Sequence, residues 1–160
     1  MGRGGGWQFF HEPGLIPVRP WIPLAALVLA LSPLALVHPI RVSGRSMEPA
    51  MRDGDLRWTL RSWVSHAPRR GEVWLVEGPQ GASVKRVIGL PGDTLAWQGP
   101  DVWVNGQRLE EPWVVHPERS GENRAACGEG YLVLGDNRPQ SLDGRAWGAL
   151  PAGALRGRIL

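Results

Sequence analysis

The sequence predicts a mainly β, barrel-like domain carried behind one apolar N-terminal helix. Three observations lead there. The 160 residues include 22 glycines and 15 prolines, which favour turn-rich strand structure over a helical bundle. From residue 40 onward, short apolar runs alternate with turn signals. Residues 21–38 carry no charged side chain. A chain of this length supports one modest domain.

Taken in order, residues 1–20 are polar, glycine-rich and punctuated by proline, and read as a flexible tail. Residues 21–38 follow as a predicted transmembrane anchor, because about 17 to 20 apolar residues suffice to cross a bilayer. Trp21 and His38 would sit at its two interfaces, and Pro33 would kink it. A buried helix of a soluble protein is one rival reading. A cleaved leader is another, and its removal would leave Ser46 close to the new N-terminus. Flanking charge is ambiguous: Arg3 and Arg19 precede the segment, while Arg41, Arg45 and Arg52 follow it.

Residues 39–160 read as one β-rich domain, with about 95–130 as a reduced second subdomain. The expected strands lie within Leu56–Val64, Glu72–Glu77, Ser83–Leu90, Thr94–Gln98, Asp101–Val104 and Tyr131–Leu134. Asn105-Gly106, between Val102-Trp103-Val104 and Gln107-Arg108-Leu109, is a strong hairpin signal. Residues 116–130 are polar and weakly patterned, and read as an exposed loop. Of nine tryptophans, Trp58, Trp63 and Trp74 are expected at a membrane interface, and ordinary packing accounts for at least half of the nine.

Composition excludes several functions. Net charge is +3, and no arginine run is interleaved with aromatics, so nucleic acid binding has no footprint. Cys127 is the only cysteine, which rules out an intrachain disulfide. His11, His38, His66 and His116 are scattered singly, with no metal-ligand spacing, so neither a metal nor another cofactor is predicted.

Lys85 is the only lysine among 18 basic residues. A guanidinium stays protonated in proteins and cannot act as a base, whereas an ammonium can be neutralised by burial. The chain therefore uses arginine for charge and keeps one cation that can be switched off. Upstream, Ser46 lies in Gly44-Arg45-Ser46-Met47-Glu48-Pro49, where Pro49 turns the chain just after the serine. Serine is a poor nucleophile until a neighbouring base takes its proton, and a neutral amine can do so.

Three segments recur together: the one around Ser46, then Val84-Lys85-Arg86-Val87-Ile88-Gly89-Leu90-Pro91-Gly92-Asp93, then Gly135-Asp136-Asn137-Arg138-Pro139-Gln140-Ser141-Leu142-Asp143-Gly144-Arg145-Ala146-Trp147-Gly148. In this order and spacing they closely resemble the type I signal peptidases of bacteria, membrane-anchored serine proteases with a Ser-Lys dyad. Val104-Asn105-Gly106 and Glu111-Pro112-Trp113 extend the resemblance, which covers about residues 21–160.

The resemblance implies Ser46 as nucleophile and Lys85 as general base. It implies Ser141 as the serine that hydrogen-bonds the lysine nitrogen, and Asp136, Arg138, Asp143 and Arg145 as the supporting polar network. The oxyanion hole would use Ser46 and the position of Gly44, where many relatives carry a serine hydroxyl that glycine cannot supply. Ala50, Ser83 and Gly144 also depart from commoner residues. The implied substrates are signal peptides of exported preproteins, cut after small residues in Ala-X-Ala sites. An extended peptide would lie between Val42–Gly44 and Ser83-Val84-Lys85 by strand addition, with Val42, Met47, Met51, Ser83 and Val84 forming the binding surface. The implied setting is a single-pass membrane protein, monomeric, with its catalytic domain on the extracytoplasmic side. A specialised maturation peptidase of the same family and an inactive signal-peptide-binding module are the alternatives.

Overall fold

Prolines and glycines cut the chain into short extended segments, and strands form where the intervening residues are apolar. The computed structural model describes residues 21–115 and 120–160. The expected tail over 1–20, with His11, and the start of the expected loop, with His116, lie outside the described residues.

Helix α1 spans Trp21–Leu36 and is apolar throughout. Its 16 residues are about 24 Å long at 1.5 Å per residue. Among the described residues, no helix is long and apolar enough to cross a membrane. The helix ends two residues before the expected end of the anchor at residue 38. Val37 and His38 belong to strand β1, Val37–Arg41. Pro39 is the reason, since a residue before proline is pushed out of the helical region.

The remainder, Leu34–Leu160, forms its own compact unit. Strands β2 (Leu56–Arg61), β3 (Val73–Gly78), β4 (Gly81–Gly89), β9 (Leu132–Leu134) and β10 (Leu155–Ile159) join β1 in a sheet of order β1-β2-β10-β3-β4-β9. Strands β5 (Thr94–Gly99), β6 (Asp101–Val104), β7 (Gln107–Arg108) and β8 (Ser120–Ala126) form a second sheet of order β7-β6-β5-β8. Among the described residues, no pairing joins β1 to β9, so the mainly β expectation holds while the sheets form no closed barrel.

Asn105 and Gly106 both take positive φ, 51° and 81°, the geometry of the two-residue hairpin that joins β6 to β7. The loop expected over 116–130 is corrected in part. Ser120–Ala126 pairs with β5, in register Thr94↔Ala126 and Ala96↔Arg124. Its polar sequence lacks strand periodicity, and pairing to a preformed edge supplies the order that propensity does not.

Three apolar clusters hold the unit together. Ile88, Leu132 and Leu134 from the six-stranded sheet meet Leu95, Trp97, Val102 and Val104 from the four-stranded one, so the two sheets share a core. Trp74, Val76, Val87, Tyr131, Val133, Leu150 and Leu155 form a second cluster. Trp74 is only 1% exposed, which corrects its expected place at an interface. Val42, Met47, Met51, Val84 and Ile159 form the third, packed by Ile40, Val73 and Leu75. This last cluster anchors the loop that carries Ser46.

Candidate active site

Ser46 stands in the connection between β1 and β2. Backbone bonds close the base of that loop, Val42 N–H to Asp55 O at 2.8 Å and Gly54 N–H to Val42 O at 2.9 Å. Met47 and Met51, 1% and 8% exposed, plug its underside into the third cluster. From across the molecule, Asn137 N–H donates to Ser46 O at 3.0 Å and Asn137 Nδ2 to Arg45 O at 3.1 Å. The serine is therefore held from both sides by backbone and side-chain hydrogen bonds.

Lys85 lies on β4 opposite Trp74 and is 3% exposed. Its Nζ donates to Ser46 Oγ at 2.9 Å. Burial lowers its pKa from the ordinary lysine value of 10.5. Asp143 pulls the pKa back up, Arg145 pushes it further down, and Asp136 raises it. Burial acts most strongly, so the neutral amine is favoured.

The supporting residues form two clusters. Arg86, next to Lys85 on β4, grips Asp136 through Nε and Nη2 at 2.8 and 2.6 Å. The same guanidinium lies 4.6 Å from the centroid of Trp113. Asp143 is buried and accepts from Gly135 N–H at 2.9 Å, Arg145 N–H at 3.2 Å and Arg145 Nε at 2.9 Å. It thereby caps the one-turn helix α2, Gly144–Trp147. Arg145 Nη2 donates to the carbonyls of Arg138 and Ser141 at 2.7 and 3.0 Å. Arg138 is buried, paired with Glu111, and donates to Gly135 O at 3.0 Å.

Three expected features of the site are not seen among the described residues. The Ser141 hydroxyl makes no hydrogen bond to Lys85; its Oγ is buried without a partner among the described residues. It lies against Gly135 instead, where a Cβ would overlap Ser141 Oγ and stand 2.6 Å from Ser46 O. Gly44 offers no oxyanion donor. It has no side chain, and its N–H donates to Asp53 Oδ1 at 2.8 Å. Its φ of +86° explains the glycine, because L side chains rarely adopt that conformation. The Ser46 N–H, by contrast, donates to no described group. Finally, Val42, Met47, Met51 and Val84 lie in the third cluster, and none of them is among the residues lining the cleft.

Of the expected binding residues, Ser83 does line the cleft, together with Gly44, Ser46 and Lys85. Residues that sequence reasoning missed line it as well, among them Gln80, Gln140, Leu142 and Trp147. Leu142 and Trp147 stand inside a recognised motif, and their flanking of Asp143 and Arg145 was the only available signal. Asn137, the clamp on Ser46, was legible merely as the third letter of Gly-Asp-Asn.

A buried lysine on a sheet strand, 2.9 Å from a serine in a clamped loop, is the arrangement that a serine hydrolase of the Ser-Lys type needs. Residues 18–160 match the family described as signal peptidase, peptidase S26. The signal peptidase I of Bacillus licheniformis is 33% identical over 138 residues, covering 76% of this chain and 74% of that one. A Synechocystis protein named probable signal peptidase I-2 is 33% identical over 159 residues, covering 89% of this chain and 72% of its own. The crystal structure of a signal peptidase I from Enterococcus faecalis shares the fold, at a TM-score of 0.50 and 24% identity, over 59% of this chain and 98% of that one. The chain belongs to the signal peptidase family, peptidase S26, and its activity is that of a signal peptidase I.

Proposed function

We propose that the chain is a membrane-bound endopeptidase in which Ser46 and Lys85 remove signal peptides from exported preproteins after small residues. The 2.9 Å contact between Lys85 Nζ and Ser46 Oγ carries this reading. An ordinary lysine is neutral about once in a thousand at neutral pH, and burial shifts that balance toward the amine. Neutral Lys85 takes the Ser46 proton as Oγ attacks the carbonyl carbon before the cut. The Ser46 N–H faces the developing oxyanion. Protonated Lys85 then gives its proton to the departing amine, and the signal peptide is left as an ester on Ser46. Water, deprotonated by the same lysine, hydrolyses that ester and restores the serine.

Asp136, Asp143 and Arg145 act by placing charge around Lys85 and by fixing the segment Gly135–Arg145 that packs over the serine. Ser141 fills the space between Gly135 and the serine loop. Residues 39–160 are the catalytic domain, with about 95–130 as its second subdomain, and the protein acts as a monomer. The bilayer is the second partner. Helix α1 supplies an apolar anchor, and the catalytic unit presents Leu56, Trp58, Trp63 and Leu160, each more than half exposed. Pro39 pairs with Trp58, and Leu160 N–H bonds Trp58 O, which brings Pro39 and Leu160 alongside that tryptophan. The catalytic unit lies on the extracytoplasmic side, where exported substrates emerge.

The test is cleavage of a preprotein with an Ala-X-Ala site by the detergent-solubilised chain, beside Ser46→Ala and Lys85→Arg. Cleavage at that site by the wild type alone is expected. Activity in either variant would remove the dyad, and binding without cleavage by all three would support an inactive captor.

A further inference from the structure

The cleft that holds Ser46 and Lys85 continues beyond them. It encloses about 260 Å³ and follows β4 from Lys85 back past Gly81. Four residues of strand correspond to roughly 13 Å. At its far end Gly78 pairs with Gly81, and the six-membered ring of Trp147 lies on Gly78. A Cβ on Gly78 would stand 2.9 Å from Trp147 Cζ3, so this glycine is what lets the indole settle there. Leu142 lines the same cleft and is 46% exposed. Neither side chain can move a proton for Ser46. A large aliphatic group left half in water, in a cleft that an indole also lines, is a surface that gains from being covered.

Resting on the peptidase reading above, we infer that Trp147 and Leu142 form a distal apolar subsite. It selects a bulky aliphatic side chain four or five residues before the scissile bond. A peptide extended beside β4 advances about 3.3 Å per residue, so the residue reaching the Gly78–Gly81 pair is about four from the bond at Lys85. The upstream side is assigned by composition. In a signal peptide an apolar core precedes the small-residue cleavage motif, whereas the mature segment after the cut has no such bias. The subsite therefore reads the point where the apolar core gives way to the cleavage motif.

The experiment uses the full chain in detergent and two peptides that share one Ala-X-Ala site. One carries Leu at the fourth and fifth positions upstream, the other Gly. The wild type is expected to favour the Leu peptide in kcat/KM by roughly tenfold, the scale of one apolar side chain in a pocket. Trp147→Ala and Leu142→Ser should each bring that ratio close to one. Trp147→Phe should keep it, because Trp147 Nε1 is buried without an acceptor and phenylalanine forfeits no hydrogen bond. Leu142→Ser alters an exposed residue and so remains informative even where Trp147→Ala fails to fold. Equal cleavage of both peptides by the wild type overturns the subsite and leaves the peptidase reading standing. So do unchanged ratios in the variants, or a dependence confined to residues after the cut. If the wild type is as inactive as Ser46→Ala on both peptides, both readings fall.

Discussion

At Lys85 a single strand position carries both the proposed chemistry and the cost of burying a cation. Its pKa lies below the ordinary 10.5, chiefly through burial. The acid limb of kcat/KM should therefore fall at a pH below that of a free lysine, with activity rising as the amine loses its proton. Stability carries the same signature. Between the depressed folded pKa and 10.5 the unfolded chain binds more protons, so stability rises with pH across that window. Lys85→Met keeps the volume and removes the titration. The melting-temperature difference between wild type and Lys85→Met should shift in favour of the wild type as pH climbs toward 10.5, and a flat difference would contradict a depressed pKa. Gly135 is the second residue of this kind. Gly135→Ala would drive a methyl into Ser141 and the Ser46 carbonyl. The expected cost is about 1–3 kcal/mol by overpacking, with cleavage down about a hundredfold because a displacement near 1 Å misplaces the nucleophile. Thermal melts and single-turnover rates measure the two parts.

Among the elements, α2 shows how little structure is needed to aim a side chain. It is one turn long, and Asp143 both caps it and pairs with Arg145. Asp143→Asn can still accept from the Arg145 N–H, so the cap survives, but the guanidinium loses its buried counter-charge. Breaking such a pair costs about 3–5 kcal/mol. Asp143 also raises the Lys85 pKa, so its removal should move the acid limb of the pH profile to lower pH. A destabilised variant with an unmoved limb would show that Asp143 acts on structure alone. What the sequence made legible follows the same line. Asn105-Gly106 specified its hairpin because only a few residue pairs accept two positive φ angles. The Lys85 strand was legible from its apolar run. Strand β8 was not, because its order comes from β5. Strand β10 alternates buried and exposed along Leu155–Ile159 yet passed unread, since two arginines in five residues masked the period. The role of Ser141 was inferred by position, and neither its missing hydrogen bond nor its packing against Gly135 leaves a sequence signal.

On the scale of the whole molecule, the exposed Trp58 and Trp63 separate two demands, since neither belongs to an apolar cluster of the core. Replacing both with serine at exposed positions should alter stability by less than about 0.5 kcal/mol. On a preprotein embedded in lipid vesicles, kcat/KM should drop by about tenfold, the equivalent of 1.4 kcal/mol of lost interfacial contact. On a short peptide in detergent the variant and wild type should stay together, and a parallel loss on both substrates would argue for a packing role instead.

Strand β10 sits between β2 and β3 in the six-stranded order. Ser46 follows β1 and precedes β2, whereas Lys85 stands on β4, so the two partners of the proposed dyad hang on opposite sides of a seam that residues 155–159 fill. The register of β10 against β2 on one side and β3 on the other thus sets how the serine loop stands to the lysine strand.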